Sequence, residues 1–282
     1  MEAERIDLPN GSTVWYIDEN HSYWGHNPKT DRKGKRLTGV TTVVKTLDHD
    51  PSNLLRWAAR TQCIGVAGYI EERLQADPAC LHNVLDVLND PQAIWRELEQ
   101  RNLTYNDVRD KAASEGTNVH RDAFEALASG RPVPAFDEMT EREVGLAQGV
   151  AAFWLDHEPE VVAVEQVVYS ERLGVAGRLD FYGRIKGRDG LGVLDLKTGK
   201  YLSVGAHTQV GGGYPLLARE CGVGEPEWAA MLQVRDDGTY ELIDAEGTSE
   251  DFEAAVAAYR AAGRINRDAR RAYKERKELV AA

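Results

Sequence analysis

Three short runs in the second half of the chain constrain its fold more than any other feature: VVAVEQVVYS (161–170), GVAGRLDFYGRI (174–185) and LGVLDLKTG (191–199). Each is rich in β-branched residues and they are separated by turn-forming residues, so they predict three consecutive antiparallel strands. Two of them carry an aspartate in mid-strand, Asp180 and Asp195, and Lys197 follows two residues after the second. Alternate side chains share a strand face, so Asp195 and Lys197 point one way while Leu194 and Leu196 point the other. A loop centred on Gly187-Arg188 sets Asp180 opposite Asp195, where like charges repel. A hard divalent cation compensates such a pair directly. The alternative is a solvated face balanced by Lys197, but the Gly-Val-Leu lead-in is too apolar for a strand lying wholly at the surface. Gly177 and Gly199 bracket the charges, where backbone can come close to a ligand.

Upstream the texture is helical. STVWYID and HSYW form a small hairpin near the start, followed by GVTTVVKTL. SNLLRWAARTQCIGVAGYIEERL after Pro51, with Ser52 as its cap, has helical spacing of apolar residues. Further helices are expected through Leu103, from about Asn106 to Leu127 with a stop at Ser129-Gly130-Arg131-Pro132, and over about Thr140 to Asp156. After the three strands come a helix near Val204, a hairpin around Asp-Asp-Gly (236–238), and a long amphipathic helix from about Ser249. The expected division is a mainly helical region with a small hairpin, 1–105, then a mixed α/β core with a C-terminal helix, 106–282.

Composition limits the function classes. The chain has 282 residues and a net charge of −12, an awkward balance for a phosphate-binding protein unless metal-holding carboxylates account for part of it. Basic residues cluster only locally, in DRKGKR (31–36) and RINRDARRAYKERK (264–277), and each cluster alone reads as a solvated face. No stretch approaches the ~20 apolar residues of a membrane span, and the polar, acidic start is no secretory signal. The three cysteines, Cys63, Cys80 and Cys221, have no CxxC spacing, which argues against a disulfide framework or cysteine metal cluster and for a cytoplasmic setting. P-loop, dinucleotide and G-x-S-x-G fingerprints are absent from the sequence.

GRLD (177–180) followed by VLDLKTG (193–199) resembles the core of the PD-(D/E)XK nuclease superfamily, in particular its RecB-like exonuclease branch. AASEGTNVHRDAFEALASG (112–130) is similar to that branch's upstream G-x-x-x-H helix, matched by Gly116 and His120. AHTQVGGGYPLLA (206–218) is similar to its Q-x-x-x-Y helix, with one departure: Gln209 and Tyr214 are five apart rather than four. On a regular helix that extra residue turns Tyr214 away by about 140°, unless a bulge restores the alignment. Three consecutive glycines weaken a helix by roughly 1 kcal/mol each, which suggests a late helix start or a close backbone contact. GVTTVVKTL…LLRWAAR resembles the leading segment of phage-encoded RecB-like exonucleases.

The resemblance implies a restriction-endonuclease-like α/β core, a mixed sheet with helices on both sides. It implies metal-dependent hydrolysis of DNA, with His120, Asp180, Asp195 and the Leu196 carbonyl holding one or two Mg²⁺ or Mn²⁺ ions. Lys197 orients or deprotonates the attacking water, and Gln209 meets a phosphate or positions Lys197. Glu165 is either an exposed strand residue or part of the metal site; Arg178 contacts a phosphate or pairs with Asp180; Tyr214 is a further candidate at the site. The four cysteines of the iron–sulfur members are missing, so no cluster is expected. The expected activity is a DNA exonuclease of recombination, repair or phage DNA processing, with a recombination or single-strand-annealing protein as a possible partner. A flap endonuclease on the same core and a catalytically inactive DNA-binding module are the alternatives.

Overall fold

The computed structural model describes residues 3–30, 36–48, 52–133 and 136–281. Most of the DRKGKR cluster, Pro51 and the side chain of Ser52 lie outside them. The chain forms two compact units, one of residues 1–49 with 119–282 and the other of residues 50–118. The boundary expected at 105/106 falls inside the second unit.

The first unit opens with an antiparallel three-stranded sheet, β1 (Glu4–Asp7), β2 (Thr13–Ile17) and β3 (Ser22–Trp24). The expected hairpin is β2–β3; its third strand carries charged residues outward and gave no strand signal. A two-residue strand β4 (Thr38–Gly39) and helix α1 (Val40–Val44) follow.

The second unit is helical: α2 (Ser52–Ala76), α3 (Leu81–Leu88), α4 (Pro91–Gln100) and most of α5 (Tyr105–Val119). Its helix starts follow capping chemistry. Asp90 accepts from Gln92 N at 2.9 Å ahead of Pro91, and Thr104 and Asp107 exchange hydrogen bonds at the head of α5. Tyr69, Cys80, Val84 and Leu98 form its core.

At His120 the α5 helix widens into a π-turn (His120–Phe124) before α6 (Glu125–Ala128), all within the predicted helix. Helix α7 (Glu141–His157) starts on a capping box between Thr140 and Glu143. The three predicted strands are β5 (Glu160–Ser170), β6 (Val175–Arg184) and β7 (Gly192–Lys197), antiparallel in sequence. Then come α8 (Val204–His207), a second π-turn (Thr208–Gly213) and α9 (Tyr214–Glu220). The chain ends with β8 (Trp228–Val234), β9 (Tyr240–Asp244) and α10 (Ser249–Ala281).

The crossover through α8 and α9 lays β8 parallel to β7, as a helical connection requires. The result is a mixed sheet in the order β4-β6-β7-β8-β9, with β5 on the other side of β6. One core packs α1, α9 and α10 against it through Val40, Leu179, Leu217 and Phe252. Another packs the His120 turn and α7 against it through Phe124, Phe153, Phe181 and Leu194. Burial of each such side chain contributes about 1.5–3 kcal/mol. The fold is therefore mixed α/β with helices on both sides of a mixed sheet, the restriction-endonuclease-like arrangement expected from the sequence. Among the described residues no helix is long and apolar enough to cross a membrane.

The glycine triplet is a close backbone contact and not a late helix start. A Cβ on Gly211 would lie 2.4 Å from Gly247 O, and one on Gly212 would lie 1.9 Å from Thr248 O. Gly212→Ala is expected to destabilise the protein by about 3 kcal/mol. Gly68→Ala, in an open stretch of α2 with nothing within 4 Å, should stabilise by about 0.5–1 kcal/mol. Urea unfolding of the two variants checks both signs.

Candidate metal centre

The site lies where β6 and β7 part. Their register pairs Gly183 with Gly192, Tyr182 with Val193 and Phe181 with Leu194. One further step sets Asp180 against Asp195, as the sequence suggested, but the ladder stops short of it. The Asp180 carboxylate takes the place of the next strand–strand bond, its Oδ2 accepting from Leu196 N at 2.8 Å. Both aspartates are buried, at 8% and 2% exposure, so the solvated-face alternative does not hold.

The π-turn brings His120 to the same place. Its Nδ1 lies 3.4 Å from Asp180 Oδ2, and its Nε2 lies 3.1 Å from the Leu196 carbonyl oxygen. Glu165 completes the group: one ligand atom each from His120, Glu165 and Asp180 lies within 4.8 Å of the others. Glu165 reaches it through an unusual backbone. Its φ of 49° is left-handed in mid-strand, and the β5–β6 pairs on either side of it, Val164 with Phe181 and Gln166 with Leu179, skip it. Such a conformation costs about 1–3 kcal/mol in a non-glycine residue. Glu165 is half-buried and not the exposed strand residue that the sequence also allowed.

Asp195 stands beside this group. Its Oδ2 lies 2.5 Å from Lys197 Nζ, yet that buried oxygen meets no donor in hydrogen-bonding geometry. The donor set suits a hard divalent ion: carboxylates, a carbonyl and an imidazole, with one buried carboxylate oxygen lacking a hydrogen bond.

Burial dominates the electrostatics. Desolvation, with the neighbouring Asp195 charge, raises Asp180 well above the ordinary carboxylate range. Glu165 rises from 4.5 to about 7, first through burial and then through Asp180. Burial lowers His120 against the pull of Asp195 and Glu165. For Lys197 burial works against the charge, but Asp195 and Asp180 outweigh it and hold the ammonium above its usual range.

The remaining candidates divide. Gln209 and Tyr214 do meet: the π-turn absorbs the extra residue, and Gln209 Nε2 donates to Tyr214 Oη at 2.7 Å. Gly177 makes room for this tyrosine, since a Cβ there would lie 3.1 Å from Tyr214 Cε1 and 2.8 Å from Val40 Cγ2. Its space is therefore filled by protein and not by a ligand, whereas at Gly199 the nearest neighbour stands 3.9 Å away. Arg178 pairs with Glu165 at 3.0 Å and not with Asp180.

Several supporting residues gave no sequence signal. Tyr16 of β2 accepts from Arg178 Nη2 at 3.0 Å and lies under its guanidinium, 4.8 Å from ring centroid to Cζ. Gln233 of β8, opposite Lys197, donates to Gly199 O at 2.7 Å and ties down the turn after the strand. Arg142 of α7 donates to Thr198 O in the same turn.

No family model and no curated protein matches the chain. Among solved structures it is similar to an alkaline exonuclease from Laribacter hongkongensis, at 16% identity over 59% of this chain and 86% of that one, with a TM-score of 0.30. A likeness at that TM-score carries no argument about activity here.

The raised Glu165 has a definite pH signature. A carboxyl whose folded value exceeds its unfolded one contributes stability that is full below about 4.5 and is lost as pH rises through about 7. In chelator, Glu165→Gln should therefore gain roughly 2–3 kcal/mol relative to wild type between pH 5 and pH 8. Urea titrations at the two pH values measure it, and a pH-independent difference between the proteins would contradict the assignment.

Proposed function

We propose that this protein is a Mg²⁺- or Mn²⁺-dependent deoxyribonuclease that degrades DNA from its ends. The observation that carries the reading is the convergence of His120, Glu165, Asp180 and Asp195, three of them carboxylates, with Lys197 at a break between two core strands. So many carboxylates gathered in one place suit a cation site better than a structural core, because desolvating them is costly even with Lys197 beside Asp195 and Arg178 beside Glu165.

His120, Asp180, Asp195 and the Leu196 carbonyl would hold the metal, with Glu165 beside them. When bound, such an ion polarises a phosphoryl oxygen, acidifies a water and steadies the leaving oxygen. Lys197 presents its ammonium on the same strand face as Asp195 and offsets charge developing on the phosphoryl group. Gln209, fixed through Tyr214, positions Lys197 or meets a phosphate. Arg178 and Tyr16 hold the Glu165 carboxylate from behind. Action from ends rests on the four matched segments of the RecB-like branch. Recombination, repair or phage DNA processing in the cytoplasm, with a strand-annealing partner, is the setting that resemblance suggests.

Incubation with linear and covalently closed duplex in Mg²⁺ tests the reading. Linear DNA should disappear progressively while circles persist, and EDTA should stop the reaction. Asp195→Ala and Lys197→Ala should each slow it by about 10²-fold or more. Undiminished degradation by both variants would refute the site, and rapid cleavage of circles would replace the end-dependent reading with the endonuclease one.

A further inference from the structure

Helix α10 is 33 residues long, but only its first part has a packing reason to exist. Thr248 and Asp251 cap its start by mutual hydrogen bonds, and Phe252, Ala255 and Val256 are buried against the core beside the Gln209 π-turn. Arg260 makes the last contact with the sheet side, donating to Leu173 O. From Arg264 to Lys277 every side chain described is exposed, Ile265 and Tyr273 at 68% and 64%. A helical segment that buries nothing gains no tertiary stability, so its sequence reflects some other demand.

Residues 264–277 hold seven Lys and Arg against two Asp and Glu, in a chain whose net charge is −12. The placement is ordered. Arg260, Arg264, Arg267, Arg271 and Lys274 follow one another at spacings of four and three, which stacks them along a single helix face. The opposite face holds Ala258, Ala262, Ala269 and Ala272 with Ile265 and Tyr273, and Arg276 also falls on it. Two of these contacts stay within the helix, Arg271 to the exposed Asp268 at 3.3 Å and Lys277 over the Tyr273 ring.

We infer that the basic face of α10 from Arg264 onward is a second DNA contact, a phosphate-backbone arm that holds duplex to this acidic protein outside the metal centre. Charge complementarity selects the partner. The segment spans about 20 Å of helix axis, enough to lie along several phosphates of a duplex. A membrane surface fits less well, because a face of alanines with Ile265 and Tyr273, interrupted by Arg276, offers little apolar area to bury. The inference rests on the nuclease reading for its choice of DNA, but not on any residue of the metal centre.

The test uses the full-length chain with Arg264, Arg267, Arg270 and Arg271 all changed to Gln, and a matched version with all four changed to Lys. Duplex affinity is measured in Ca²⁺ from 50 to 300 mM NaCl, and metal-dependent hydrolysis of a small nitrophenyl phosphodiester is measured in parallel. The Gln variant should bind duplex at least 10-fold more weakly at 100 mM salt, with a log–log salt slope shallower by about 2–4. The Lys variant should retain affinity, and both should hydrolyse the small ester as wild type does. Wild-type affinity and slope in the Gln variant would overturn the arm, as would loss of affinity that Lys fails to rescue. Binding to phosphatidylserine vesicles in preference to duplex would overturn it in favour of a membrane contact. A wild-type protein that hydrolyses neither ester nor DNA, yet loses duplex binding in the Gln variant alone, would refute the nuclease reading and leave the arm standing.

Discussion

The hydrogen bond from Leu196 N to Asp180 is the interaction on which the site depends. A β-ladder satisfies its own amides, and parting two core strands leaves an amide that must find another acceptor. The Asp180 carboxylate supplies one, so β6 and β7 can part while still buried. The opening exposes the Leu196 carbonyl to His120 on one side and leaves Asp195 and Lys197 on the other. Each member of the site is thus placed by a backbone irregularity backed by ordinary packing.

Two of those irregularities are π-turns, one carrying His120 and the other carrying Gln209. An extra residue in a helix turns everything after it by about 100°. In the second turn that rotation is what brings Tyr214 onto Gln209. The third irregularity is the left-handed Glu165 in β5, held by Arg178 and through it by Tyr16 of the small sheet. The amino-terminal strands therefore brace a strand of the core 160 residues later.

Much of this was legible in the sequence because local chemistry carried it. β-Branched runs between turn signals marked β5 to β7, and mid-strand Asp180 and Asp195 stood out against an apolar background. The five-residue gap between Gln209 and Tyr214 showed that the two could meet only through a bulge. What escaped was long-range or conformational. Nothing in TVWYI distinguishes Tyr16 from any strand tyrosine, because its role exists only once β6 brings Arg178 across it. For Glu165 the sequence left an exposed strand residue and a metal-site member both open, because the backbone strain that distinguishes them has no sequence signature. The two-residue strand β4 is too short for periodicity to register, and its parallel pairing with β6 joins segments over 130 residues apart.

The account makes cation binding the reason that His120, Glu165, Asp180 and Asp195 share one buried place. Direct titration of metal-free protein with Mn²⁺ by electron paramagnetic resonance tests that claim without reference to any substrate. Wild type should take up the ion at a saturable site, and Asp180→Asn should lose that uptake while Asp268→Asn, far along α10, retains it. Equal uptake by wild type and Asp180→Asn would contradict the account.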